Sequence, residues 1–316
     1  MNNKNIKIAI TGGAGFVGQN LLFELKSERY TRFVVIDKSA YNLSILHRLH
    51  PEVDVVEADL AISSDFWERT LEGVDVVIQL QAQITSTHSE QFKRNTIDTT
   101  YSVLNACRKF SVPRLIHVSS SVVNSVATDD YTNAKKIQEA GVLRSGLRYT
   151  VLRPTLMFGP FDPKHLGWLS RFMEKTPIFP IPGNGKFLRQ PLYVKDFCRC
   201  LVRSLKPEFN NQVFDIVGDT RIDYQDIIFA IIRAKKLSTK IIHIPIVFFG
   251  FMLQICALFV QKPPFTVQQL TALVAGDDFK GVDTKKVFGV TQTPFEDAIQ
   301  ETFVKTKYID VVLRRQ

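Results

Sequence analysis

Apolar residues along the chain fall into short β-branched runs separated by stretches whose apolar positions recur at helical spacing. The runs IKIAI (6–10), FVVI (33–36), VDVV (53–56), VDVVIQL (74–80), RLIHV (114–118) and RYTVL (148–152) predict strands. Helices fit between them, most clearly at 16–27, 89–110 and 131–145. This alternation predicts an α/β fold with a doubly wound parallel sheet covered on both faces. After Pro154 the rhythm gives way to a Pro/Gly-rich stretch that includes FGPFDP and FPIPGNGK. The boundary therefore falls near residue 155, with a nucleotide-binding half at 1–155. Residues 156–316 form mainly a smaller substrate-binding lobe, with strands and helices that return to the first half.

The stretch AITGGAGFVGQNLLFEL (9–25) shows what the first half is for. Its glycines follow the first strand and open the first helix. There Gly12 permits a tight turn, Gly15 lets the backbone approach a pyrophosphate, and Gly18 lets helix and strand pack closely. The helix start adds N–H groups for the anion. Asp37 ends the second strand in VVIDKS, where its carboxylate accepts from ribose hydroxyls and repels a 2′-phosphate, favouring NAD. Lys38, beside it, suits such a phosphate and keeps NADP open. A second group follows in YTNAK: Tyr131 and Lys135 are four apart and share a helix face. A free phenol, with a pKa of about 10, is a poor base at neutral pH, and a nearby ammonium would favour its ionised form. Upstream, HVSSSVVNS puts three serines at a strand end, where a hydroxyl can hold a substrate oxygen next to the tyrosine.

Taken together, TGGAGFVG, ADL (58–60), Asn95, VSSS, YxxxK, LRPTLMFGP and PLYVKDF resemble, in order, an extended short-chain dehydrogenase/reductase of the NAD-dependent epimerase/dehydratase family. The resemblance runs from residue 8 to about 200. It implies a Rossmann domain that binds NAD through Gly12, Gly15, Phe16, Val17, Gly18, Asp37 and Lys38. Asp59 and Leu60 would line the adenine, with Leu80, Gln81, Ala82, Asn95 and Pro154 also at the cofactor. Lys135 would hold the nicotinamide ribose. Tyr131 would be the acid/base and Ser120 the catalytic serine, with Ser119 and Ser121 as alternatives. The resemblance also implies a homodimer through the helices at 89–110 and 131–145. Two departures stand out. LQAQ (80–83) replaces small residues, so Gln81 would crowd the cofactor unless it folds outward. Ser121 and Val122 occupy the positions where dehydratases of the family carry an Asp-Glu pair, which argues against dehydration.

Hydride chemistry at a carbonyl or secondary alcohol remains. GNGKFLRQPLYVKDF (183–197) resembles the family segment that covers a nucleotide sugar, with Arg189 and, less directly, Lys186 for its diphosphate. A basic surface loop is the plainer alternative. SSSVVN is similar to family members that reduce 4-keto sugars in bacterial surface polysaccharide synthesis, which places a reductase ahead of a 4-epimerase. The apolar segment 244–260, broken by Pro245, Gly250 and Gln254, predicts a buried or substrate-lobe helix ahead of a membrane span. It also leaves open a peripheral contact with the inner face of a membrane. Two further alternatives follow from it: a steroid-type hydroxy dehydrogenase, and a non-catalytic NAD(P)-holding accessory subunit of the respiratory complex I kind.

Charge and cysteines alter little. The net charge of +9 is scattered, as on a solvated surface, and does not indicate a nucleic-acid partner. Cys107, Cys198, Cys200 and Cys256 lack ligand spacing, so no metal site is expected. With only a strand's length of apolar residues before the first glycines, the expectation is a cytoplasmic chain with reduced thiols.

Overall fold

The computed structural model describes residues 5–86, 88–259, 267–276 and 278–314. Seven parallel strands form the central sheet: β1 (Lys7–Thr11), β2 (Arg32–Asp37), β3 (Asp54–Glu57), β4 (Val76–Gln79), β5 (Arg114–Val118), β6 (Arg148–Pro154) and β7 (Gln212–Ile216). Their order is β7-β6-β5-β4-β1-β2-β3. The chain winds outward from β1 to β3, then returns to the other side of β1 to lay down β4. The strand order thus reverses beside β1, and a crevice opens there at the carboxyl ends, where open α/β sheets bind ligands.

Ile8, Ala9 and Ile10 of β1 are all fully buried, as a central strand covered on both faces requires. Each such isoleucine contributes about 1.5–3 kcal/mol. Helix α1 (Phe16–Ser27) covers one face with Leu21, Leu22 and Leu25. It lies close because position 18 is glycine: a Cβ there would stand 2.1 Å from the Gly13 carbonyl oxygen. Helices α2 (Thr99–Lys109) and α3 (Asp130–Leu143) pack against each other. Helix α4 (Val194–Arg203) packs on α1 from the C-terminal half, its Cys198 Sγ 3.7 Å from the Val17 carbonyl oxygen.

Strand β7 was not among the six strands legible in the sequence. It pairs with β6 from Gln212 opposite Thr150 to Ile216 opposite Pro154, so a segment far beyond residue 155 completes the sheet. A separate core gathers Phe158, Leu166, Ile181, Ile227, Ile299 and Phe303. All four cysteines are free, and Cys256 alone among them is not buried.

The apolar 244–260 segment corrects an expectation. It begins as the last residue of a strand, Lys240–Ile244, and continues as helix α5 (Ile246–Phe259). Val260 lies outside the described residues. No described side chain of α5 is buried. Apart from Gln254 the helix is apolar, and its neighbour, helix α6 (Val267–Ala275), covers only part of it, Leu270 lying beside Gly250. Among the described residues no helix is long and apolar enough to cross a membrane.

Candidate active site

Gly12 closes β1 at φ +69°, where a Cβ would meet the Gln81 backbone nitrogen at 2.7 Å, so only glycine fits the turn. Gly15 caps α1 without a side-chain bond, and no acidic residue occupies the first turn, which leaves the positive helix end uncompensated. Buried Asp37 steadies this turn: Oδ2 accepts from the Ala14 N–H (3.1 Å) and Oδ1 from the Ser39 N–H (3.0 Å). A cleft opens beside it, lined by Gly12, Asp37, Lys38, Asp59, Leu60, Gln81, Ala82 and Asn95 together with Ala58, Gln83 and Thr99.

Other predicted cofactor residues lie around this cleft without lining it. Phe16, Val17 and Leu80 pack partly buried against the core, and Pro154 ends β6 opposite Ile216. Gln81 lines the cleft. Its Oε1 accepts from Thr11 Oγ1 (2.6 Å), which holds it against the end of β1, and its buried Nε2 has no partner among the described residues.

The far wall also rests on Arg94, Gln83 and Thr96, which the motifs did not single out. Arg94 pairs with Asp59 Oδ2 at 2.7 Å. Burial raises the Asp59 carboxyl, but the Ala61 N–H and Arg94 outweigh it and hold the group below the usual range. Lys38 Nζ donates to Asn95 Oδ1 (2.7 Å), and burial pushes its ammonium down. Asn95 sits in a wide π-helical turn, Lys93–Asp98, that interrupts the regular helix expected over 89–110. The turn lets Asn95 Nδ2 donate to Gln83 Oε1 (2.7 Å) and Thr96 Oγ1 accept from the Gln83 N–H (2.9 Å). Such turns recur at functional sites.

Beyond β5 the three serines take different partners. Ser119 Oγ donates to Glu139 Oε2 (2.5 Å). Ser121 opens the tight turn Ser121–Asn124, which Ser120 caps. Ser120 also lies near the Tyr131 phenol, which its hydroxyl pulls down.

Tyr131 and Lys135 share a face of α3, but the electrostatics differ from the sequence expectation. Burial raises the Tyr131 phenol above its usual value, with Ser120 pulling down and Asp129 pushing up; Lys135 is not among the groups that set it. Lys135 Nζ instead donates to the Val118 carbonyl (3.1 Å) and Gln138 Oε1 (2.5 Å). Burial lowers the ammonium to about 7, against a raising contribution from Glu139. Burial drives both groups toward neutrality.

One helical turn on, Glu139 carries the strongest polar contact of the region. Arg153 on β6 grips it with Nη2 to Oε1 at 2.5 Å and Nε to Oε2 at 2.9 Å. Arg153 Nη1 also reaches Asn124 Oδ1 (3.3 Å) and Asp215 Oδ2 on β7 (3.6 Å). Sequence reasoning missed this network; the signal was the extension of the Tyr131–Lys135 spacing by four to Glu139. The proposed substrate residues stand apart from the cleft. Arg189 is half-buried in a short strand, Leu188–Arg189, paired antiparallel with Ile222–Asp223, where its charge pulls down a Tyr224 phenol that burial pushes up. Lys186 is exposed in the turn before it.

A doubly wound sheet with a glycine turn, an acidic residue ending β2 and a Ser-Tyr-Lys group at the end of β5 defines a dinucleotide-dependent enzyme of the extended short-chain dehydrogenase/reductase type. The chain belongs to the NAD-dependent epimerase/dehydratase family, whose model matches residues 8–216. It is 24% identical over 336 residues to the sterol-4-alpha-carboxylate 3-dehydrogenase, decarboxylating, of Mus musculus, covering 95% of this chain and 91% of that one. It is 26% identical to a dTDP-glucose 4,6-dehydratase of Streptomyces niveus, covering 76% and 81%. Among solved structures, the UDP-glucose 4-epimerase of Thermotoga maritima superposes with a TM-score of 0.74 at 20% identity, covering 94% of this chain and 97% of that one.

Proposed function

We propose that this enzyme reduces a 4-keto group on a nucleotide-linked sugar to the alcohol, with Tyr131 as proton donor. The observation that carries the reading is the placing of Ser120 beside Tyr131, a phenol that burial pushes above its usual value. A protonated phenol is matched to giving a proton to a carbonyl oxygen. Dehydration would need a separate acid and base, and the turn after Ser120 offers Ser121, Val122 and Val123 instead.

The cleft fits a dinucleotide: the Gly12 turn has no room for a Cβ, and the α1 start presents uncompensated N–H groups to a diphosphate. When bound, the reduced nicotinamide supplies the hydride. Asp37 faces the ribose hydroxyls and disfavours a 2′-phosphate, while Lys38, Asp59, Leu60 and Asn95 border the adenosine end and Lys135 holds the second ribose. Ser120 Oγ holds the carbonyl oxygen, and Tyr131 Oη gives its proton to that oxygen as the new C–H bond forms. Arg189 takes the substrate diphosphate. Exposed Tyr101, Ile137 and Leu143 on α2 and α3 suit a homodimer through these helices.

The test follows oxidation of NADH with UDP- or dTDP-linked 4-keto sugars. Tyr131→Phe is expected to keep cofactor binding and lose on the order of 10² or more in turnover. Full turnover in that variant overturns the assignment. Nucleotide sugars are expected to protect the protein thermally, and Arg189→Ala to abolish that protection while protection by NAD persists. A second reading, a secondary alcohol on a membrane lipid, is favoured by the exposed apolar face of α5 and by the sterol-oxidising relative. Stabilisation by a sterol and none by nucleotide sugars would put it first.

A further inference from the structure

We propose that α5 seats this protein on a bilayer that contains anionic phospholipid. Over its 14 residues, Ile246–Phe259, the helix carries no charged side chain. Its large apolar groups point outward: Phe248 is 66% exposed, Phe251 58%, Leu258 81% and Phe259 83%. Apolar patches of this kind mark interaction sites. A helix of this length spans about 21 Å. That falls short of the roughly 30 Å of a hydrocarbon core, so α5 lies at the interface.

Charge selects the occupant. From residue 227 to 276 the chain has no aspartate or glutamate, but it has Arg233, Lys235, Lys236, Lys240 and Lys262. Arg233 and Lys235 are paired with Glu296 and Glu174. Lys236 and Lys240 are exposed and have no ion pair among the described residues. An apolar helix following exposed lysines matches a surface of acyl chains beneath anionic headgroups. A second copy would instead set the exposed Lys236 and Lys240 of two chains against each other. The seat also bears on the C-terminal half, because Ile246 abuts Gly183 in the turn that leads to Arg189. This inference holds whichever substrate the site takes.

The test is vesicle flotation of the full chain, with phosphatidylcholine alone and with phosphatidylcholine mixed with phosphatidylglycerol. The unmodified protein is expected to float with the anionic vesicles and to be partly released by salt. Phe248→Ser combined with Phe251→Ser is expected to lower partitioning about tenfold or more, the scale of withdrawing large apolar side chains from lipid. Both positions are exposed, so thermal unfolding and NADH oxidation in solution are expected to stay unchanged. Lys236→Glu with Lys240→Glu is expected to weaken binding to the anionic vesicles only. Failure of the unmodified protein to float with phosphatidylglycerol, or equal flotation of the Phe variant, overturns the proposal. So does sedimentation equilibrium showing an assembly that the Phe changes dissolve, since a second copy would then cover the face.

Discussion

Replacing Arg153 by methionine tests whether the network under α3 holds the catalytic helix to the sheet. The side-chain stem survives, but Glu139 loses two hydrogen bonds, at 2.5 and 2.9 Å, and Asn124 loses one at 3.3 Å. Glu139 is left 6% exposed with Ser119 as its remaining partner on this side. Removing one member of a buried pair costs about 3–5 kcal/mol, because the other charge stays buried without compensation. The Arg153 side chain is 19% exposed, so water can enter its place and the lower end, about 3 kcal/mol, applies. For a chain of 316 residues that lowers Tm by roughly 4–5 °C. Urea unfolding is the assay, completed as a cycle with Glu139→Gln and the double variant. The double variant is expected to lose much less than the sum of the singles, because the second change removes the orphaned charge. A single-variant loss under about 1 kcal/mol, or additive losses, would refute the reasoning.

Burial lowers Lys135 to about 7 from 10.5, so its desolvation penalty is complete below pH 7 and fades as pH rises toward 10.5. Lys135→Met is therefore expected to raise Tm most at and below neutrality and to abolish turnover. Thermal scans across pH check this, and a gain that does not vary with pH would refute it. Asp37→Asn is expected to reduce any preference for NAD over NADP by about tenfold, or ~1.4 kcal/mol, in titrations with both cofactors. Unequal affinities that the substitution leaves unchanged would point away from Asp37. Gly18→Ala gains about 1 kcal/mol of helix propensity. It also sets a methyl 2.1 Å from the Gly13 carbonyl oxygen, so net destabilisation is expected in urea unfolding; an unchanged midpoint would show that the turn yields.

Features that depend on neighbours along the chain were legible in the sequence. The glycine turn was one, because a positive φ at Gly12 and the contact at Gly18 are settled within a few residues of β1 and α1. The common face of Tyr131 and Lys135 was another, since helical spacing alone places them there. The strands from β1 to β6 announced themselves by β-branched runs. Packing between distant segments decided the rest. β7 is recruited from residues 212–216 because β6 offers an open edge, and nothing local marks it as the sheet's last strand. Which serine meets Tyr131 depends on Glu139 having taken Ser119, and Glu139 is itself held by Arg153 from another strand. The pull of Lys135 toward neutrality and the rise of Tyr131 come from desolvation, a property of everything packed around a group. For the same reason α5, apolar enough for a core, stands exposed: composition records what a helix can bury against, and only the arrangement of its neighbours decides whether anything covers it.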